Sequence, residues 1–229
     1  MIIFSLIFGL LIGNYTTTFL FRLPRNIEIC GINKSVNTPP CCSTCRHPLK
    51  FYEYLPVLSW IFVRFKCNYC GAKINLQYFI LEFTTGLISI VLFLLFNFSE
   101  IYLLFLILWS LLIIAGLIEY NSSKIYNNLT FGVITTGMIY RTFLDSSILF
   151  FIGDIAITAI FLSMIMNISR LQIKKLIHLT LQASVFGLGE VIIVLISYFI
   201  TQRLTKQNSY LYSLILLYFA IVLKKIIAV

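Results

Sequence analysis

Acidic residues are scarce in this chain: eight Asp and Glu stand in 229 residues against 17 Lys and Arg, and only two of the eight are Asp. Charged residues of both signs make up 11% of the sequence while 60% is hydrophobic, and the mean hydropathy is +0.98. A soluble domain carries about 25% charged residues, so this composition excludes a water-coated globule and points to an integral membrane protein. There is no internal repeat, no low-complexity tract and no Gly-rich phosphate loop, which leaves no basis for a solenoid or a P-loop nucleotide site. The net charge of +9 sits in short clusters between apolar runs. That pattern sets orientation in a bilayer and argues against nucleic acid as a partner.

What is present is a series of apolar runs interrupted by one polar block. Residues 1–21 read as a first transmembrane helix, since no basic segment precedes them and no small-residue cleavage site follows. Residues 22–77 hold eight of the 17 basic residues, all six cysteines and the turn-forming Pro39-Pro40, Pro48 and Pro56. They form a loop domain outside the bilayer. Residues 78–229 form a membrane helical domain, with runs at about 78–96, 101–119, 129–144, 146–168, 184–201 and 208–223. The expectation is an all-α polytopic membrane protein of about seven transmembrane helices. With the N-terminus outside, Arg22, Arg25, Lys34, Arg46, Lys50, Arg64, Lys66, Lys73, Lys124, Arg170, Lys174, Lys175, Lys224 and Lys225 fall on the cytoplasmic side, and Arg141, Arg203 and Lys206 outside. The cysteine loop is thus expected to be cytoplasmic.

Within that loop, Cys42-Ser-Thr-Cys45 and Cys67-Asn-Tyr-Cys70 are two CxxC knuckles. Two knuckles can supply the four thiolates of a tetrahedral zinc, and a short loop with little apolar core gains much of its folding energy from such a metal. Reduced unliganded thiols and a CxxC redox pair are the alternatives, a cytoplasmic setting arguing against stable disulfides. Cys30 and Cys41 are left over, Cys41 as a spare ligand and Cys30 as an ordinary buried thiol. His47 is a substitute ligand or, more simply, a solvated loop histidine.

The stretch from Pro40 through Cys42, Cys45, Pro48, Glu53 and Pro56 to Trp60, followed by Cys67-Asn-Tyr-Cys-Gly-Ala-Lys-Ile74 and Tyr78-Phe-Ile-Leu-Glu-Phe-Thr-Thr-Gly86, resembles the type IV prepilin peptidase family. The likeness extends back to Gly13 and Arg22-Leu-Pro-Arg25, and more weakly forward to about residue 200. It implies a multi-pass aspartic endopeptidase of the bacterial inner membrane that cuts the leader from prepilin-like precursors after a glycine. In many members it also implies N-methylation of the product with S-adenosylmethionine, a function the family associates with the region of Tyr52, Glu53 and Tyr54.

Two acids sit inside apolar runs. Glu119 closes the third, in Ala-Gly-Leu-Ile-Glu-Tyr, and Glu190 follows Gly187-Leu-Gly189. An ionisable group in a spanning segment costs several kcal/mol unless paired or wetted, so it marks function by default. Expected at matching depth near the cytoplasmic ends, the pair reads as a carboxyl dyad sharing a proton, one member activating water and the other polarising the peptide carbonyl. Gly187 and Gly189 allow close approach of a helix or an extended substrate. The resemblance lands on the same positions: Ile118-Glu119 with Leu129-Thr130, and Gly187-Leu-Gly189-Glu190 where the family has GxGD. Both family aspartates are replaced by glutamate, which adds a methylene and displaces the carboxyl group by more than about 1 Å, a shift that can cost about a hundredfold in rate. Asp145 and Asp154 are poor substitutes, being expected towards the opposite face. Val191-Ile192-Ile193 stands where the family commonly has Val-Lys-Leu, so a basic neighbour is missing.

Glu82, in Leu81-Glu82-Phe83, matches a family acid and is read either as a structural partner of Arg or Lys or as a substrate contact. His178 belongs to a basic amphipathic stretch read as lying on anionic lipid. Two rivals to the peptidase remain: a non-catalytic membrane scaffold that keeps the fold and the zinc, and a small transporter using both glutamates as a proton relay.

Overall fold

The computed structural model describes residues 1–27, 41–42, 44–53, 55–142, 170–205 and 209–227. Among them the architecture is all-helical, with two isolated β-bridges, Cys41 to Pro48 and Lys66 to Lys73. Four helices among the described residues are long and apolar enough to cross a membrane: Ile2–Arg25, Leu76–Phe96, Glu100–Ser122 and Ser209–Ile227. Helices also stand over two further apolar runs, at Asn127–Thr142 and Leu188–Thr205. The run at 146–168 lies outside the described residues, as do Asp145, Asp154, Cys30 and Tyr54. The chain divides into two compact units, Met1–Phe98 and Ser99–Val229.

In the first unit, helix α1 (Ile2–Arg22) lies along α3 (Leu76–Phe96). Small residues make the approach close, the usual device between apolar helices that have no hydrophobic drive to associate within lipid. A Cβ on Gly9 would fall 2.3 Å from Ser89 Cβ, and one on Gly13 2.9 Å from Glu82 Cα. At the same seam Ser5 Oγ donates to the Ser89 carbonyl at 2.9 Å, and Ser89 Oγ returns the bond to the Ser5 carbonyl at 2.7 Å. Asn75 caps the start of α3, its side chain accepting from Gln77 N–H at 2.9 Å. Between these helices in sequence lies the cysteine block, which includes the short helix α2 (Leu58–Val63).

The second unit is built on α4 (Glu100–Ser122), whose buried residues Phe105, Leu108, Leu112 and Ile118 mark it as the central element. Around it stand α5 (Asn127–Thr142), α6 (Arg170–Ser184), α7 (Leu188–Thr205) and α8 (Ser209–Ile227). Their directions follow from side-chain pairs. Leu111 meets Gly132 and Phe105 meets Tyr140, so α4 and α5 are antiparallel. Thr130 meets His178 and Gly137 meets Val185, so α5 and α6 are parallel. Trp109 packs on Tyr218 at 5.1 Å and Gly116 on Leu211, so α4 and α8 are antiparallel.

This corrects the charge sorting. Counting apolar runs makes the third and last helices point the same way and puts Lys224 beside Lys124. In the structure Lys224 instead joins Arg141: Arg141 Nε donates to the Val185 carbonyl at 2.5 Å and Lys224 Nζ to the Phe186 carbonyl at 3.3 Å. The physical reason is α6, which runs parallel to α5 where the count of apolar runs has only a connecting stretch. It does not lie flat on lipid either: Leu176, His178, Leu179, Gln182 and Ala183 are all buried.

Candidate functional site

The four knuckle cysteines converge. Their sulfurs all lie within 4.8 Å of one another, with Cys42 to Cys70 at 3.9 Å and Cys45 to Cys67 at 4.0 Å. Sulfurs about 2.3 Å from a tetrahedral zinc are about 3.8 Å apart, so the set fits such an ion. The two knuckles are near copies of each other. Cys42 N–H donates to His47 O and Arg46 N–H to Cys42 O, while Cys67 N–H donates to Ala72 O and Gly71 N–H to Cys67 O. The fourth residue after each leading cysteine is left-handed, Arg46 at φ 57° and Gly71 at φ 69°. Burial alone would raise the Cys42 thiol, yet backbone N–H groups of Cys45 and Thr44 and the adjoining sulfurs bring it down to about 7. Cys45 accepts a backbone hydrogen bond from His47 that lowers it, but burial and the neighbouring thiols push it up to about 11. Cys41 is not part of the cluster; it pairs with Pro48 in a β-bridge. His47 stacks on Tyr69 at 3.5 Å between ring centroids, tying one knuckle to the other without joining the sulfur set.

Two acids serve this block structurally. Glu53 is buried and receives Lys50 N–H at 2.8 Å, Asn68 Nδ2 at 2.7 Å and Tyr69 O–H at 3.4 Å, so one carboxylate buckles the middle of the loop to the second knuckle. Burial tends to raise its titration, but these donors hold it below the usual carboxylate range. Glu82 Oε2 accepts from Val57 N–H at 2.9 Å and from the Trp60 indole at 3.0 Å. Its partners are thus a backbone amide and a tryptophan, with neither Arg nor Lys in an ion pair to it among the described residues. Val57 has φ 58° at the entry to α2, and Glu82 holds that turn onto α3.

In the second unit each membrane acid has taken a lysine. Lys175 forms a salt bridge with Glu119 Oε1, the carboxylate being 2% exposed. Lys224 bonds Glu190 Oε1 at 2.7 Å, and Glu190 is also buried. Oε2 of both glutamates is buried without a hydrogen-bond partner. The structure does not bring the two carboxyl groups together. Glu119 lies by the start of α8, where Gly116, one turn before it, meets Leu211 next to Tyr210, whereas Glu190 is held by Lys224 near the end of that helix. Fourteen residues of α8 separate the two levels, about 20 Å of helix rise. Gly187 is required where it stands, at φ +135°, and a Cβ there would fall 2.8 Å from Glu190 Oε2. Gly189 has open space around it.

Sequence reasoning missed Lys175 and Lys224 as partners, and Gln182 and Tyr210 as buried polar residues. The lysine pairs were legible only as orientation charges. A signal for Gln182 was present: Lys175, His178 and Gln182 recur at helical spacing, which puts polar residues on one face of α6.

A family profile for the bacterial peptidase A24 N-terminal domain matches residues 7–96, the α1 and α3 pair with the cysteine block between them. Curated relatives share the name prepilin leader peptidase/N-methyltransferase. The one from Aeromonas hydrophila is 32% identical over 107 residues, covering 38% of this chain and 37% of its own. That of Neisseria gonorrhoeae is 26% identical over 153 residues, 59% of this chain and 54% of its own. The likeness to these peptidases is thus carried by residues 7–96 above all. A third relative of that name, from Vibrio cholerae, is 27% identical over 147 residues, 61% of this chain and 56% of its own. The chain thus spans about one third to just over half the length of these prepilin peptidase relatives. No solved structure matches it.

Proposed function

We propose that the protein is a membrane endopeptidase that removes the leader of type IV prepilin-like precursors at the cytoplasmic face of the bacterial inner membrane. The observation that supports this most is the buried Glu119, an acid in a helix long and apolar enough to cross a membrane, with one oxygen paired to Lys175 and the other without a hydrogen-bond partner. The names of the relatives give the substrate class. In this reading the apolar segment of the precursor lies among the helices and Glu119 acts as base towards water. Glu190 is the second acid of the reading. Cys42, Cys45, Cys67 and Cys70 hold a zinc ion that staples the loop. Zinc would contribute folding energy there, and the loop would present the polar side of the substrate to the membrane edge. N-methylation, the other half of the relatives' names, would need S-adenosylmethionine; Glu53 is not free for it, since Lys50, Asn68 and Tyr69 occupy its oxygens.

A second reading, a non-catalytic scaffold, is favoured by the position of the two glutamates against opposite ends of α8. Co-expression with a prepilin-like precursor separates the two. The peptidase reading expects leader cleavage by the wild type and its loss in Glu119→Gln, with loss in Glu190→Gln as well if both acids act in one reaction. No cleavage by wild type, but cleavage by the double Glu→Asp form, identifies a scaffold that has kept the fold and abandoned the chemistry.

A further inference from the structure

Lys66 and Lys73 face each other across an antiparallel β-bridge. Cys67 N–H donates to Ala72 O at 2.9 Å and Ile74 N–H to Phe65 O at 2.9 Å, so the backbone bonds flank the pair and do not run through it. In that kind of antiparallel pair the two opposite side chains stand closer together. Both lysines are exposed, and like charges directly opposite one another repel. No nearby acid offsets them. The described residues of the first unit carry two acids, Glu53 and Glu82, both buried and both bonded to groups other than these lysines. The ion pairs among the described residues, Lys175 with Glu119 and Lys224 with Glu190, belong to the second unit. Glu28 lies outside the described residues. Exposed Arg64 adds a third cation two residues before Lys66.

The lysine pair stands directly ahead of α3, one of the helices long and apolar enough to cross a membrane: Asn75, two residues after Lys73, is its cap. Arg64 at φ 49° and Phe65 at φ 58° turn the chain out of α2 in a left-handed conformation that non-glycine residues adopt rarely. Beyond that turn the exposed Phe65 ring lies 5.5 Å from Trp60 and 5.8 Å from Phe79, centroid to centroid, and Phe79 stacks on Phe83 at 5.9 Å. Leu76, Ile80, Phe83 and Leu87 are exposed, and their spacing puts them on one face of α3. Helix α1 packs on another side, at Glu82 and Ser89. Phe65 therefore carries the apolar face of α3 past the start of the helix, up to Lys66.

A face that is apolar along a spanning helix and doubly cationic at the helix end complements a phospholipid of negative charge. Basic groups beside a membrane helix attract anionic headgroups, and an anion seated between Lys66 and Lys73 removes their repulsion. We propose that Lys66 and Lys73, with Arg64 beside them, bind the phosphate of an anionic phospholipid whose chains lie along Phe65, Leu76 and Ile80. The bridge closes the second knuckle, since Cys67 follows Lys66 and Cys70 precedes Lys73. The lipid thus anchors the cysteine block to the leaflet through that knuckle. The rival role for the two lysines is to balance the charge of the thiolates they bracket.

The test follows the unfolding midpoint of the purified full-length protein in neutral detergent as phosphatidylglycerol, phosphatidylcholine or inorganic phosphate is added. A ligand that binds the folded state raises the midpoint. Phosphatidylglycerol should raise it saturably, while the zwitterionic lipid and inorganic phosphate should leave it in place. The double variant Lys66→Gln/Lys73→Gln should need about thirtyfold more phosphatidylglycerol for half the effect, about fivefold per lysine. Lys66→Arg/Lys73→Arg keeps both charges and should keep most of the affinity. Without lipid, the double Gln variant should retain its metal and be no less stable than the wild type, because it removes a repulsion. A phosphatidylglycerol response that is unchanged in the double Gln variant, or matched by phosphatidylcholine, overturns the site. A matching response to inorganic phosphate overturns the lipid as its ligand. Loss of metal, or a lower midpoint, in the lipid-free double Gln variant assigns the lysines to the cysteine cluster and overturns the proposal as well.

Discussion

Lys224 and Glu190, 34 residues apart, are joined at 2.7 Å, and the same ammonium caps the Phe186 carbonyl. One side chain therefore clamps the tight turn before α7 from the last turn of α8. Removing it leaves a buried carboxylate without its cation. Breaking a fully buried pair costs about 3–5 kcal/mol; because Lys224 is 53% exposed, water screens part of that, and about 1–3 kcal/mol is expected for Lys224→Ala. Lys224→Arg should keep most of the stability. Chemical unfolding in detergent measures both, and equal loss in Ala and Arg would refute a charge-based clamp.

Glu82 is expected to act on stability through the two donors it receives. Glu82→Leu leaves the Val57 amide and the Trp60 indole unpaired, at about 1–3 kcal/mol each. Glu82→Gln retains an acceptor and should cost less than half as much. A readout by Trp60 fluorescence would follow the loss directly, since the indole is one of the partners.

The Glu53 buckle has a pH signature. Its carboxyl is held below its unfolded value, so its contribution is fully present above the unfolded value of about 4.3 and is lost as pH falls through the lower folded value. Stability of the cysteine loop should therefore fall on acidification below about pH 4.3, and Glu53→Gln should flatten that part of the curve. Unfolding midpoints across pH 2–6 for wild type and variant, an interval set by that reference value, provide the comparison. An unchanged slope would show that Glu53 does not carry it.

Metal analysis of purified protein should give about one zinc per chain, as four thiolates close one tetrahedral site. Cys42→Ser and Cys67→Ser should lose the metal and loosen the loop to proteolysis. Cys41→Ser should retain it, because Cys41 stands in a β-bridge outside the sulfur cluster. Retention of metal in all three variants would remove the assignment.

The cysteine block was the most legible part of the sequence, because a metal-binding knuckle is a local object whose geometry is written in a few consecutive residues. The long helices were legible too, apolar length being a property of one segment. The roles of Glu53 and Glu82 were not. Each depends on donors 15 to 25 residues away, such as Asn68 for Glu53 and Val57 for Glu82, and no spacing rule connects them. Helix α6 misled for a different reason. Its polar stripe of Lys175, His178 and Gln182 faces inward, and a pattern of polarity alone cannot say whether the wet face meets solvent or other buried polar groups. The expected nearness of Glu119 and Glu190 depended on that same helix, since its path sets which way the last two helices point.

The antiparallel packing of α4 on α8 fixes a parity. Reporters inserted after Lys124 and after Ile227 should be exposed to opposite compartments, because both helices are long enough to span and the Trp109–Tyr218 and Gly116–Leu211 contacts make them run in opposite senses. A fluorescent protein, which matures in the cytoplasm, and an alkaline phosphatase, which needs export, would therefore exchange signals between the two insertion sites. A cargo fused behind the last helix would be delivered across the bilayer from the hairpin that follows Glu119.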